Sequence, residues 1–196
     1  MIAVMSLVLL VVAWLLPTTV TAQECAAVKL ASAEQAANYL QHAGSNAEAA
    51  ECLQVAFRQI AKSPVEEAIP VLIKFLSYKR PLNEGERNGI FMHGKGADVL
   101  YPAVYELYTL GVPAESALVH FIAEDTNARG VARENALYSI LLIHHGNALA
   151  VVQRLHSDSV ASASVEARDR LQTASKAAMR WCDERWQTKC EGALKQ

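Results

Sequence analysis

Two stretches of the chain carry residue types that could do chemistry. The segment "YKRPLNEGERNGIFMHGKGAD", residues 78–98, combines charged side chains, one histidine and several glycines. The stretch "LLIHHGNA", residues 141–148, sets two adjacent histidines beside a glycine. Because general acid–base catalysis and metal binding both use histidines and carboxylates, either stretch is a candidate site.

Neither stretch has the residue spacing of a phosphate-binding loop or of a metal site. A phosphate-binding loop needs Gly-x4-Gly-Lys-Ser/Thr, whereas Lys95 is followed by Gly96. Adjacent residues on a helix point about 100° apart, so His144 and His145 cannot easily share one metal ion. The sequence therefore predicts no catalytic residue, no metal site and no cofactor.

The residues around these stretches are typical of helices. Apolar residues recur every three or four positions, alanine is abundant and no alternating strand pattern persists. We expect a first helix over residues 32–43 with Ser32 as its N-cap, and a second helix that Asn46 caps. Pro64 precedes a third helix.

The third helix, in "VEEAIPVLIKFLSYK", contains Pro70 near its apparent second turn. An interior proline removes a hydrogen bond and kinks the helix. We therefore expect this helix to begin nearer Ala68 or Ile69.

A helix–corner–helix unit then occurs three times. Residues 56–76, 103–122 and 136–155 each contain an apolar helix, a short corner with Gly or Pro, and a second apolar helix. In the third unit, Gly146 can take the left-handed conformation of the corner and Asn147 can cap the next helix. The two histidines are therefore predicted to close a helix rather than to form a site. Repeating helix pairs are typical of solenoids.

The segment "DTNARGVARENALYSIL", residues 125–141, resembles a HEAT repeat, whose first helix follows an Asp-rich turn and a Val-x-Arg step. The residues that carry the resemblance are Asp125, Val131, Arg133, Ala136 and Leu137. The stretch "LGVPAESALVHF" also resembles the glycine corner of tetratricopeptide repeats, which is the second interpretation. Either resemblance implies an α-solenoid that binds a protein or peptide.

The predicted fold is therefore all-α: a short right-handed α-solenoid of antiparallel helix pairs with a C-terminal capping helix. The capping helix is expected from about Ala163 onward, with one mostly apolar side. Residues on that side are Leu171, Ala174, Ala178, Trp181 and Cys182. The tryptophans Trp181 and Trp186 are expected to pack against the last repeat.

The spacing of the three units along the sequence is irregular in one segment. The interval from Leu76 to Ile122 is longer than that from Ile122 to Leu155, and the extra residues fall within 78–98. Long loops inside compact domains are usually functional or disordered. We predict a binding loop over residues 80–96, and a mobile polar linker anchored by two apolar side chains is the alternative. The predicted binding residues are Arg80, Glu84, Arg87, Phe91, Met92, His93 and Lys95.

Residues 1–22 are predicted to be a secretory signal peptide. Their apolar run ends at Pro17, short of the roughly 20 residues that a membrane-spanning helix needs. The small residues of Val20-Thr21-Ala22 favour cleavage before Gln23. Because no Lys or Arg lies near the start, an uncleaved anchor is the alternative. Residues 23–196 would then form a single HEAT-like domain, secreted or periplasmic, with no membrane span.

The four cysteines are predicted to form disulfides, because the chain is expected to reach an oxidising compartment. The expected pairs are Cys25–Cys52 and Cys182–Cys190. Eight residues of continuous helix separate two Cα atoms by about 12 Å, beyond the ~7 Å that a disulfide tolerates. The second pair therefore requires a chain reversal between its cysteines.

The net charge of −2, without a basic run, argues against nucleic acid as a partner. We therefore expect a secreted or periplasmic, non-enzymatic α-solenoid that binds a protein or peptide partner. The alternative is a metal-dependent or hydrolytic enzyme that uses His93 and the carboxylates of residues 80–96.

Overall fold

The computed structural model describes residues 32–42, 50–82, 97–124, 126 and 130–184, and every regular element in these ranges is an α-helix. The helices are named α1 to α9 in chain order. They are Ala33–His42, Ala50–Ala61, Val65–Lys74, Ala97–Leu100, Pro102–Leu110, Val112–Glu124, Gly130–Ile143, Ala148–Ala161 and Val165–Glu184. The predicted all-α class is confirmed for these ranges, while the predicted signal peptide and the predicted cap at Asn46 lie outside them.

Local sequence signals account for several helix ends. The Oγ of Ser32 accepts a hydrogen bond from the Gln35 amide at 3.2 Å, which makes Ser32 the N-cap that the sequence predicts. The second helix of each predicted unit follows a short corner, and the corners are residues 62–64, 111 and 144–147. The three predicted helix–corner–helix units are thus present as α2–α3, α5–α6 and α7–α8.

The predicted start of the third helix near Ala68 or Ile69 is wrong, because α3 begins at Val65 and includes Pro70. The carbonyl of Pro64 accepts hydrogen bonds from the amides of Glu67 and Ala68 at 2.9 Å, which forms the first turn. Pro70 is exposed, so its ring faces solvent. The amide that proline lacks would have bonded to Glu66, whose exposed position lets water satisfy that carbonyl.

One hydrophobic core joins all the longer helices. At its N-terminal end Phe57 of α2 contacts Phe75 and Tyr78, with ring centroids 5.8 and 5.7 Å apart. Burial raises the pKa of the Tyr78 hydroxyl, and the nearby Tyr39 adds to the shift. Aromatic pairs at these distances stabilise the core beyond the area that they bury.

Helix α7 lies at the centre of the core. Its residues 135–141 are all buried, so it has no continuous solvent-facing side in this stretch. The side-chain amide of Asn135 donates to the Leu76 carbonyl at 2.7 Å, and the Ser139 hydroxyl donates to the Asn135 carbonyl at 2.8 Å. These bonds attach α7 to the turn that follows α3 and give the buried Asn135 amide and Ser139 hydroxyl hydrogen-bond partners.

The helices that pack most extensively against each other are not the two helices of one predicted unit. Helix α6 packs more extensively against α7 than against α5, and α8 packs more extensively against α9 than against α7. The corners at Gly111 and at residues 144–147 join helices within a unit, but the helices that share most surface are those joined by the connections between units, residues 125–129, and after the last unit, residues 162–164.

Helix α9 has the apolar side that the sequence predicts. Ala167, Leu171 and Ala178 are buried, and Trp181 stacks edge-on against Tyr138 of α7 with centroids 5.4 Å apart. The prediction that Trp181 packs on the last unit is confirmed, whereas Trp186 lies outside the described residues. No helix in the described ranges is long and apolar enough to cross a membrane.

Candidate functional site

The structure closes the base of the predicted binding loop through Arg80. Arg80 is buried, and its amide donates to the Leu100 carbonyl at 3.0 Å. Its guanidinium Nε donates to the Val99 carbonyl at 2.7 Å, and Nη1 donates to that of Pro81 at 3.3 Å. The two ends of the segment therefore meet beside α4, and we call this set of hydrogen bonds the Arg80 clasp.

Arg80 is the one predicted binding residue whose position is described. Its guanidinium is directed at backbone carbonyls, which is a role the sequence did not predict. The others lie outside the described residues, so their role in binding stays a prediction: Glu84, Arg87, Phe91, Met92, His93 and Lys95.

An open cleft of about 510 Å³ lies next to the Arg80 clasp, between α2, α4 and α5. This volume falls within the range of about 300–1,000 Å³ that is usual for ligand-binding clefts. Positions four apart on α2 and three or four apart on α5 place their side chains on the face toward the cleft. We call it the loop-base cleft, and its described lining residues are Gln54, Arg58, Asp98, Val99, Pro102, Tyr105 and Glu106.

Glu106 is the most unusual side chain of the loop-base cleft. It is only 8 % exposed, and no described residue forms a hydrogen bond or ion pair with its carboxylate. Burial raises the pKa of this carboxyl group, and the Arg58 guanidinium opposes the shift only partly. Acidic side chains are rarely this buried unless they are paired, so Glu106 marks the cleft as a functional candidate.

The other lining residues supply both charge and apolar surface. Arg58 is exposed at the rim, and Asp98 at the start of α4 is partly buried. Tyr105 is 48 % exposed, and its ring stacks edge-on against Tyr108 with centroids 6.3 Å apart. The loop-base cleft can therefore contact an apolar stem and a charged group at the same time.

Sequence reasoning did not predict the role of Glu106. The residue is a single acidic position in the apolar helix "PAVYELYTL", where Ala103 and Leu107 on the same side are buried. A carboxylate on the buried side of a helix is a signal that the sequence does contain. The approach of Arg58 is not readable from the sequence, because that residue lies on another helix.

The paired histidines form the corner that the sequence predicts. Gly146 has a φ of 77°, and Asn147 caps α8 through a hydrogen bond from the Ala150 amide at 3.2 Å. One contact was not predicted: His144 Nε2 lies 3.2 Å from Oε1 of the buried Glu115 on α6. This is an ion-pair distance without the direction of a hydrogen bond.

Cys52 on α2 is disulfide-bonded. Its predicted partner Cys25 and the side chains of Cys182 and Cys190 lie outside the described residues, so both predicted pairs stay predictions. Helix α9 continues through Cys182 to Glu184, so a reversal toward Cys190 would have to follow residue 184. Within the described ranges, no group of three or more His, Cys, Asp or Glu side chains is arranged to hold a metal ion.

Two further clefts lie between other helices. One, of about 310 Å³ between α7 and α9, is lined by three arginines, two acidic residues and apolar side chains. The other, of about 490 Å³ between α3 and α6, is mostly apolar and includes Phe121 and His120. The acidic side chains in the described lining of both clefts, Glu124, Glu134 and Asp169, are exposed, unlike Glu106.

Comparison of the chain with protein-family models, with curated proteins and with solved structures finds no match.

Proposed function

We propose that the chain is a secreted or periplasmic, non-enzymatic α-solenoid that binds a protein or peptide partner at the loop-base cleft. The observation that carries this proposal is the position of the cleft, which lies beside the clasped ends of the irregular segment. Its aromatic and charged lining resembles the composition of protein-binding surfaces, where tyrosine and arginine are enriched.

We further propose that the helices form a short right-handed solenoid that α9 caps. The packing of α6 on α7 and of α8 on α9 supports stacked helix pairs, with the pairs offset by one helix from the units seen in the sequence. The polar outer side of α9 supports a capping role, because the terminal repeat of a solenoid must face water.

The proposal is tested by selecting ligands from a displayed random-peptide library on the purified protein. We expect individual sequences to be enriched and to compete with one another for one site. Failure to enrich any sequence above a bare support would contradict the proposed function.

Two variants test whether selected peptides bind at the predicted place. Gln54→Trp adds bulk to an exposed position of the cleft and should abolish binding. Gln172→Trp changes an exposed position of α9 that does not line the cleft and should leave binding unchanged. Equal effects of the two variants would place the binding site elsewhere.

Deletion of residues 84–94 tests the loop itself. All residues of the Arg80 clasp lie outside the deletion, so the two ends of the segment should stay joined. The helical circular dichroism and the melting temperature should therefore stay nearly unchanged. Peptide binding should fall, and undiminished binding would show that the loop makes no contribution.

Hydrolytic or metal-dependent catalysis is the second candidate function. The observation that favours it is the raised pKa of Glu106, which lines the same cleft as a second carboxylate, Asp98. A carboxyl group with a raised pKa can act as a general acid, and His93 of the adjoining loop would be its partner. Metal analysis of the purified protein separates the candidates, because a stoichiometric transition metal lost on His93→Ala would support the enzyme.

A further inference from the structure

Glu106 is a buried carboxylate in a cleft whose described lining holds two carboxylates and one guanidinium, a formal charge of −1. Its described surroundings form neither a hydrogen bond nor an ion pair with it, although it is 8 % exposed. A second carboxylate, that of Asp98, lines the same cleft. Buried charges are costly unless they are paired, so this arrangement favours a positively charged occupant.

The cation already present in the described lining does not fill this role. Arg58 acts on Glu106 through space, and the desolvation of the carboxyl group outweighs its effect on the pKa. Arg58 is exposed and lies on α2, across the cleft from α5. The space between the two residues is part of the open volume of about 510 Å³.

The apolar part of the lining suits a long methylene stem. Val99, Pro102 and Tyr105 line the same cleft as Glu106, and the Tyr105 ring is half-exposed. Lysine and arginine bury their methylene stems on apolar surface while their charged ends reach a polar partner, and both interact with the faces of aromatic rings.

We propose that the loop-base cleft binds a lysine or arginine side chain of the partner, with its charged end paired to Glu106 and its stem against Tyr105 and Val99. This inference rests on the proposed function, since it names the side-chain class that the binding site recognises. Among the described lining residues of the clefts between α7 and α9 and between α3 and α6, no carboxylate is as buried as Glu106, so we assign the specificity to the loop-base cleft.

A thermodynamic consequence follows from the buried position of Glu106. A bound cation favours the ionised carboxylate, so the fraction of protein that carries a protonated Glu106 must release its proton on binding. The affinity for a basic peptide should therefore rise as the pH increases through the titration of Glu106. A peptide without the basic residue should not show this rise.

The test uses the peptides selected on the purified protein. We expect the enriched sequences to share a lysine or arginine, and its replacement by norleucine should weaken binding about tenfold or more, as for a desolvated charge pair. On Glu106→Gln the two peptides should bind with similar affinity. Glu66→Gln, at an exposed position of α3, is the matched control and should keep the full difference.

The outcomes separate the two proposals. If no peptide is enriched, the proposed function fails. If peptides bind and compete at the cleft but lack a shared basic residue, the inference about the cation fails while the proposed function stands. An equal effect of norleucine on the wild type and on Glu106→Gln also contradicts the inference, because the charge would then act elsewhere.

Discussion

Three of the buried polar side chains differ in how their hydrogen-bonding groups are satisfied. Asn135 donates to the Leu76 carbonyl at 2.7 Å, and Arg80 donates to that of Val99 at 2.7 Å. The Glu106 carboxylate receives no hydrogen bond from any described residue. The first two interactions stabilise the fold, whereas burial of Glu106 disfavours its ionised form.

The raised pKa of Glu106 should be detectable in the pH dependence of the free energy of unfolding. Its folded-state pKa is raised above the ordinary 4.5, so its contribution is most favourable at low pH and is lost as the pH rises through the raised pKa. Glu106→Gln removes this loss, so the stability of the variant relative to the wild type should increase as the pH rises. Urea unfolding between about pH 4 and about pH 7 measures the trend.

Glu166→Gln is a control for which stability should change with pH in the opposite direction. Hydrogen bonds from its own amide and from the Ser164 hydroxyl lower the pKa of the Glu166 carboxyl group. Its stabilising contribution is therefore present at neutral pH and is lost as the pH falls through the lowered pKa. The variant should lose stability relative to the wild type as the pH rises, and parallel trends for both variants would contradict the assignments.

Gly111 and Gly130 both lie at helix ends, but their backbone conformations differ. Gly111 joins α5 to α6 with φ 71° and ψ −146°, a conformation that residues with a side chain rarely adopt. Gly130 begins α7 without a positive φ. A Cβ atom added at either position would meet no atom within 4 Å. Any difference between alanine substitutions at the two positions must therefore come from the backbone conformation and not from steric clashes.

Substitution of these glycines by alanine should therefore have opposite effects. Gly111→Ala should lower the free energy of unfolding by about 1–3 kcal/mol, because the strained backbone is its main cost. Gly130→Ala should raise it by up to about 1 kcal/mol, because alanine favours the helix and restricts the unfolded chain. Thermal and urea unfolding of the two variants measure the difference. A loss at Gly130 as large as that at Gly111 would contradict this backbone explanation.

One hydrophobic core connects the two ends of the described chain. The aromatic group of Phe57, Phe75 and Tyr78 lies near the N-terminal end, and the contact of Tyr138 with Trp181 lies near the C-terminal end. Helix α7 carries Tyr138 and is also bonded to the turn after α3. We therefore expect the helices to unfold together rather than in separate repeats.

Phe57→Leu tests this coupling. The change should weaken the N-terminal end of the core by about 1–1.5 kcal/mol. After removal of residues 1–22, tryptophan fluorescence comes from Trp181 and Trp186, far along the chain from the change. The midpoint of unfolding seen by fluorescence should fall as much as that seen by far-ultraviolet circular dichroism. An unchanged fluorescence midpoint would indicate that the two ends unfold independently.

Features that depend on neighbouring residues could be predicted from the sequence. Helical periodicity, the Ser32 and Asn147 caps and the left-handed turn at Gly146 all follow from interactions within a few positions. The start of α3 was misjudged because an exposed carbonyl at Glu66 can be hydrated, and exposure is not a local property.

Which distant residues meet could be seen only in the folded molecule. It brings Arg80 to the Val99 carbonyl, and it places Glu106 in a cleft with Arg58 from another helix. Such pairings depend on how helices pack, and many packings satisfy the same apolar periodicity. The sequence therefore located the candidate segment. The burial of Glu106, and the lack of a hydrogen bond or ion pair to it from any described residue, depend on how the helices pack.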